Sequence, residues 1–294
     1  MTYTTISIIY NPNSTGDSAE NAEKLRSDLL EAQPKLKVKL LKTRYAGHAK
    51  KIAYELSKAS LRPLIISASG DGGYSEVVNG VMKAVNEGAS PICAVLPSGN
   101  ANDHSRTIQD GELVESIISN KTKKIDVLKL TISTNNKTKE MYAHSYIGLG
   151  ITPHIAVELN KNDLNRIKEL LVTIKALRRH KPFKLKYSNQ IFEYDSVIFA
   201  NISEMAKMFT ISKNSKPDDG LFEIVKLKQK NKFHLLKTIT HAATQGLDYS
   251  EQVKEFRFEV LGTMPIQLDG EILKLHPKEK ITISCMNSVL TTVL

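Results

Sequence analysis

Apolar residues in the first 130 positions alternate between two spacings. Short runs rich in Ile, Leu and Val at residues 6–10, 38–43, 63–69 and 92–97 predict strands, and the stretches at 18–32, 47–58 and 75–85 repeat apolar positions at helical spacing. Strands and helices in strict alternation predict crossover units on a mostly parallel sheet. Ligands of such sheets gather at the carboxyl ends of the strands. The glycines and small polar residues of this half collect there: residues 11–16 after the first strand, 70–73 after the third and 99–103 after the fourth.

From about Ile125 the rhythm changes. Strand patterns at 125–133, 141–147, 183–187, 192–202, 222–227, 253–261, 266–268 and 281–285 are interrupted by only two helical ones, at 163–179 and 232–245, with a polar turn at Asn135-Asn136. This half predicts an antiparallel sandwich or barrel. A chain of 294 residues is long enough for two domains. The change of pattern divides it into an α/β domain at 1–127 and a β-rich domain at 128–294, packed directly with a cleft between them.

Composition narrows the class. Apolar residues at 41% and charged residues at 24% are ordinary for a globular protein and exclude disordered and fibrous architectures. Cys93 and Cys285 each sit in a strand-like apolar run, as expected for buried thiols in a reducing cytoplasm. Residues 1–10 lack the pattern of a signal peptide, and no apolar run has the length of a membrane span. The formal net charge of +10 is uneven, with nine Lys or Arg against two acids between Lys161 and Lys186. In the helix predicted at 163–179, Leu164, Ile167, Leu171, Ile174 and Leu177 form one stripe and leave the basic residues, including Arg178 and Arg179, to the other face. Such a face is attracted to phosphate on nucleic acid or on anionic lipid, and it also fits a merely solvated surface. No nucleic-acid motif, paired metal-ligand histidines or P-loop accompanies it, so nucleic-acid binding, zinc hydrolysis and P-loop chemistry are not expected.

The chemistry concentrates in Ser69-Gly70-Asp71-Gly72-Gly73-Tyr74-Ser75-Glu76, after a strand and before a helix for which Ser75 is the candidate N-cap. Closely spaced glycines let backbone N–H groups approach an anion, and the helix terminus adds partial positive charge. The carboxylate of Asp71 suits a phosphate site only with a bridging cation such as Mg²⁺. Read alone, such a stretch is more often just a tight loop. Three further motifs accompany it: Tyr10-Asn11-Pro12-Asn13-Ser14-Thr15-Gly16, Gly99-Asn100-Ala101-Asn102-Asp103 and Leu268-Asp269-Gly270-Glu271.

The ordered set resembles the diacylglycerol kinase and sphingosine kinase superfamily, whose pattern is N-P-x-S-G, then G-G-D-G-T, then G-T-x-N-D, then D-G-E. The resemblance implies a phosphofructokinase-like nucleotide-binding domain followed by a β-rich lipid-substrate domain, and a kinase using ATP and Mg²⁺. The nucleotide would be held by Asn11, Pro12, Asn13, Ser14 and Thr15, by Thr43, by Ser69, Gly70, Gly72, Gly73, Ser75 and Glu76, and by Gly99, Asn100, Asn102 and Asp103. Asp71 would organise metal and phosphates, and Glu271 would be the general base for the acceptor hydroxyl. By the same likeness, Lys216-Pro217-Asp218-Asp219-Gly220-Leu221 holds a structural Mg²⁺ through the Asp219 carboxylate and the carbonyls of Lys216 and Leu221, although a Pro-Asp-Gly turn reads the same way. A lipid hydroxyl, of diacylglycerol or a related lipid, is the acceptor implied. The enzyme would be cytoplasmic, peripheral to the inner face of the membrane, and docked on anionic lipid by the basic segment; a homodimer is left open. Alternatives are a kinase of a soluble acceptor, such as NAD kinase, and a silent nucleotide- or lipid-binding regulator. The chain departs from the pattern in an inserted Thr15, in Ser69 for glycine, and in Gly73 and Asn100 for the two threonines.

Overall fold

The computed structural model describes residues 3–14, 16–134, 137–153, 181–205, 209–213, 215–228, 232–247 and 250–294. The expectations on Thr15, on the Asn135-Asn136 turn and on the helix at 163–179 with most of its basic face lie outside the described residues. The chain divides into two units, one of Met1–Val127 with Asn287–Leu294 and one of Leu128–Met286. The last eight residues, assigned above to the second domain, thus return to the first.

In the first unit β1 (Ile6–Tyr10), β2 (Val38–Lys42), β3 (Leu64–Ser69) and β4 (Ile92–Pro97) form a parallel sheet in the order β2-β1-β3-β4. β3 is buried along its whole length, which is why its sequence is apolar without alternation. β17 (Lys280–Val293) ends beside β4, parallel to it, with Thr291 opposite Ile92. Helix α1 (Ser18–Ala32) buries Ala22, Leu25 and Leu29 against Ile6, Ile8 and Leu64. Helices α2 (His48–Ala59) and α3 (Asp71–Val85) approach closely at Gly80, where a β-carbon would lie 2.2 Å from the carbonyl oxygen of Lys50. Two short helices, α4 (Asp103–Ile108) and α5 (Leu113–Ile118), follow β4.

The second unit is antiparallel and β-rich. It contains β6 (Thr138–Ala143), β7 (Tyr146–Gly150), β8 (Phe183–Tyr187), β9 (Gln190–Ala200), β12 (Phe222–Lys228), β13 (Ser250–Val253), β14 (Glu255–Val260), β15 (Met264–Leu268) and β16 (Glu271–Leu275). Helix α6 (Lys232–Thr244) and a two-stranded ribbon, β10 (Glu204–Met205) with β11 (Phe209–Thr210), complete the described elements. β5 (Thr122–Ser133) pairs with β6 from Leu128 onward. Pairing runs β16-β15-β7-β9-β8-β14-β17, with β12 and β13 on the other edge of β9. Phe199 lies at the centre of the core, its ring within contact range of Phe222, Phe256 and Phe258. The strand expected at 141–147 is two strands, broken at His144 and Ser145. A side-chain carboxylate takes the backbone donors at that break, as described below.

Candidate active site

In the first unit the loops after β1, β3 and β4 meet at the carboxyl ends of their strands. The Ser18 hydroxyl donates to the carbonyl of Ala68 at 2.5 Å and accepts from the Asn11 N–H at 3.3 Å, tying the first loop to β3. Asn11 closes that loop on itself, its side-chain oxygen accepting from the Asn13 N–H at 3.0 Å and its carbonyl from the Ser14 N–H at 3.1 Å. Pro12 and Asn13 are exposed. At the second and third loops backbone meets backbone: a β-carbon on Gly99 would fall 2.3 Å from the α-carbon of Gly70. Only glycine fits at that crossing.

The glycine stretch is the first turn of α3 and not a loop ahead of it. The helix starts at Asp71 with Gly70 as N-cap, and the first turn closes with the Tyr74 N–H on the Gly70 carbonyl at 3.1 Å. Ser75, expected as N-cap, is buried in the second turn, and its Oγ has no hydrogen-bond partner among the described residues. Packing of α3 against β3 and α2 overrides the low helix propensity of Gly72 and Gly73. The N–H groups of Asp71, Gly72 and Gly73 therefore stand at a helix terminus that no side chain caps. A β-carbon on Gly72 would meet nothing within 4 Å, so an anion can approach along that side.

Asp71 is half-buried, and its Oδ2 accepts from the Asn102 N–H at 2.9 Å. Asn102, in the left-handed region at φ 53°, also clasps Gly99: its Oδ1 accepts from the Gly99 N–H at 3.1 Å and its Nδ2 donates to the Gly99 carbonyl at 2.8 Å. Asn100 is exposed at the tip of this turn, while Asp103 is buried in the first turn of α4. Thr43 follows β2, its N–H on the Tyr10 carbonyl at 2.9 Å. Glu76 has a task that the sequence did not disclose. Its carboxylate accepts from the N–H of Gly47 at 2.8 Å and of Ala49 at 3.2 Å, capping α2 from a neighbouring helix.

In the second unit the Asp269-Gly270 pair is the two-residue turn of the β15–β16 hairpin, with Leu268 opposite Glu271. Both turn residues have positive φ, 45° and 93°, the geometry of a type I′ turn. Glu271 is exposed at the start of β16. Asp269 is buried and accepts from the backbone N–H of His144 at 2.7 Å, Ser145 at 3.1 Å and Tyr146 at 2.9 Å, filling the break between β6 and β7. His144 Nε2 lies 3.3 Å from Asp269 Oδ2, and His144 Nδ1 lies 2.7 Å from the Ser145 hydroxyl. Burial pushes the Asp269 carboxyl up to about 7 from an ordinary 3.8, against the pull of the three N–H donors. All three side chains are buried, and this Ser-His-Asp chain holds the turn.

The Asp219 carboxylate is exposed and accepts from the Leu221 N–H at 3.0 Å. A hard oxygen donor in a turn rich in carbonyls fits Mg²⁺ chemically. Among the described residues no cluster of three or more His, Cys, Asp or Glu forms a metal cage, so a cation there would rely on one carboxylate and backbone carbonyls. Burial raises the carboxyl of the buried Glu223, and the nearby Asp219 charge adds to that shift, against hydrogen bonds from Ser215 and Gln252.

Residues 5–130 match the diacylglycerol kinase catalytic domain. The chain is 24% identical to a diacylglycerol kinase of Bacillus subtilis, over 94% of this chain and 92% of that one. It is 25% identical to a diacylglycerol kinase of Staphylococcus haemolyticus, over 71% of this chain and 64% of that one, just short of two thirds of the relative. A diacylglycerol kinase-like protein of Bacillus anthracis has the same fold, at a TM-score of 0.75 with 22% identity, covering 100% of this chain and 98% of that one. Yeast NADH kinase, at a TM-score of 0.53 and 10% identity over 98% of this chain and 82% of that one, is a more distant fold relative. The match to the diacylglycerol kinase domain includes every loop of the first unit described above and supports a kinase. Two carboxylates of this diacylglycerol kinase-like chain have structural roles that the sequence did not disclose, although Asp269 lies in a recognised motif. Asp126, buried in β5, accepts from the Ser288 N–H at 2.6 Å, and its only sequence signal is an acid within an apolar strand. Asp269 has its partners 123 to 125 residues away.

Proposed function

We propose that this chain transfers the γ-phosphoryl group of ATP to the hydroxyl of a lipid. The observation that carries the reading is the uncapped start of α3, where three successive N–H groups stand beside the Asp71 carboxylate that the Asn102 N–H orients. Phosphoryl transfer asks a protein mainly to position phosphates and stabilise their charge. The N–H groups of Asp71, Gly72 and Gly73 bind phosphate oxygens, and the first loop, Asn11 to Ser14, with the Gly99–Asn102 turn flanks the nucleotide. Mg²⁺, when bound with the nucleotide, neutralises phosphate charge, and Asp71 is the carboxylate that would hold it. Glu271, exposed on its hairpin, takes the proton of the acceptor hydroxyl. A lipid acceptor is the reading favoured by the Asn102-Asp103 and Asp269-Gly270-Glu271 motifs. No helix among the described residues is long and apolar enough to cross a membrane, so the enzyme would meet its lipid from the surface, with the basic segment between Lys161 and Lys186 as its contact.

The test is transfer of radiolabelled phosphate from ATP into a panel containing diacylglycerol, a sphingoid base and a polyprenol. Labelling of one class is expected, and Asp71→Ala should lower it by at least about a hundredfold while the melting temperature stays close to that of the parent. Labelling of soluble acceptors alone, or full activity in Asp71→Ala, would overturn the assignment.

A further inference from the structure

At the opposite end of the first unit's sheet, where β3, β4 and β5 begin, lies a cavity of about 300 Å³. Its wall carries three cations, Arg62, Lys123 and Lys124, and three hydroxyls, Ser90, Thr122 and Thr291, with no carboxylate and no aromatic ring. Strands β3 and β4 are six residues each and lead from this cavity to the glycine turns. At about 3.3 Å per residue the two ends are roughly 20 Å apart, so the cavity is separate from the nucleotide loops.

The chemistry of the wall specifies its ligand. Arg62 and Lys124, with no carboxylate among the lining residues, attract an anion. Hydroxyls beside them add neutral donors for several oxygens at once, which a phosphate group possesses and a halide does not. The Nε of Arg62 is already buried and has no hydrogen-bond partner among the described residues, so it has lost its water without gaining an acceptor. The volume is at the low end of the range of about 300–1,000 Å³ for small-molecule sites. It accommodates a phosphate with a small substituent, and nothing on the wall would stack a nucleobase.

We propose that this cavity binds a phosphate monoester. The phosphate could belong to a soluble metabolite or to a lipid headgroup. Leu61, 89% exposed on the cavity rim, would enter the bilayer in the second case.

The test is a titration of the ¹⁵N-labelled full chain with inorganic phosphate and with glycerol 3-phosphate at constant ionic strength. Amide shifts of Thr122, Lys124 and Thr291 are read apart from those of Gly70, Gly72 and Gly73, which report the nucleotide loops independently. Saturable shifts around the cavity are expected, weakened about tenfold by Arg62→Gln and by Lys124→Gln. Lys124 is exposed, so its variant keeps the test readable if Arg62→Gln disturbs the fold. Shifts that do not saturate, that sodium chloride reproduces, or that survive both substitutions overturn the proposal. Sedimentation with phosphatidylcholine vesicles, with and without phosphatidate, separates the sources. Binding that needs phosphatidate and falls in Lys124→Gln and Leu61→Asp marks a headgroup site, and saturable binding of glycerol 3-phosphate alone marks a soluble ligand. If neither soluble phosphate nor phosphatidate binds, the cavity is not a phosphate site.

Discussion

A β-carbon on Gly73 would lie 2.6 Å from both the Cβ and the Oγ of Ser69. The two positions share one space, and they are two of the positions at which the chain departs from the motif pattern it resembles, with serine in place of glycine and glycine in place of threonine. One change makes room for the other. The Ser69 hydroxyl, 2.7 Å from the Ser67 hydroxyl, thus stands where a threonine side chain at 73 would need to be. Gly73→Thr should destabilise the protein by about 1–3 kcal/mol through overpacking and suppress turnover. The double variant S69G/G73T should recover most of both. Thermal melts and kinase assays on the three proteins check this, and a double variant no better than Gly73→Thr would rule out the coupling.

Glu76 caps α2 across the gap from α3, so its removal should be felt at two distances. Glu76→Ala is expected to cost about 0.5–2 kcal/mol of stability, the range of a lost helix cap. Because the capped residues follow the Thr43 loop, the KM for ATP should rise more than kcat falls. Denaturant melts with steady-state kinetics test it, with Glu76→Gln expected between the two.

For Glu271 the expected pattern is the reverse. A base acting on the acceptor hydroxyl contributes to the chemical step, so Glu271→Gln should lower kcat on the order of 10²–10⁴-fold. The KM for ATP should move less than about threefold, since the residue does not hold the nucleotide. A variant impaired in ATP binding alone would remove Glu271 from the catalytic step.

The buried Asp269 makes stability depend on pH. Its folded-state pKa, pushed up to about 7 from 3.8, means that between those values the native state keeps a proton that the unfolded chain has released. Its stabilising contribution is complete at the acid end of that window and is lost as pH rises through it towards 7. Asp269→Asn carries no titrating group there, so its stability, lower overall, should fall less between pH 5 and pH 8 than that of the parent. Urea melts at both pH values would measure the difference.

The strand ends that form the site were readable because parallel strands buried on both faces are written as unbroken apolar runs, and the loop residues after them stand out. The start of α3 was not readable. Gly70 to Gly73 has the composition of a loop, and only the packing of α3 against β3 and α2 makes it helical. Ser75 looked like a cap for the same reason. The break at His144 and Ser145 was hidden because the carboxylate that takes its donors comes from the far end of the second unit's sequence. The fourteen-residue β17 was half seen: residues 281–285 alternate apolar and polar side chains as a strand does, but beyond them Asn287 and Ser288 interrupt the pattern before Val293.

That long strand has a consequence for biosynthesis. β4 gains its outer neighbour from Thr291 and Thr292, which emerge from the ribosome only after all of residues 128–286 have been made. During that interval the nascent first unit carries an unpaired strand edge of buried-type residues, a template for misassociation with other chains. A fragment ending at Val127 would retain that exposed edge permanently. The nucleotide loops are thus encoded early, but the sheet that carries them is finished last.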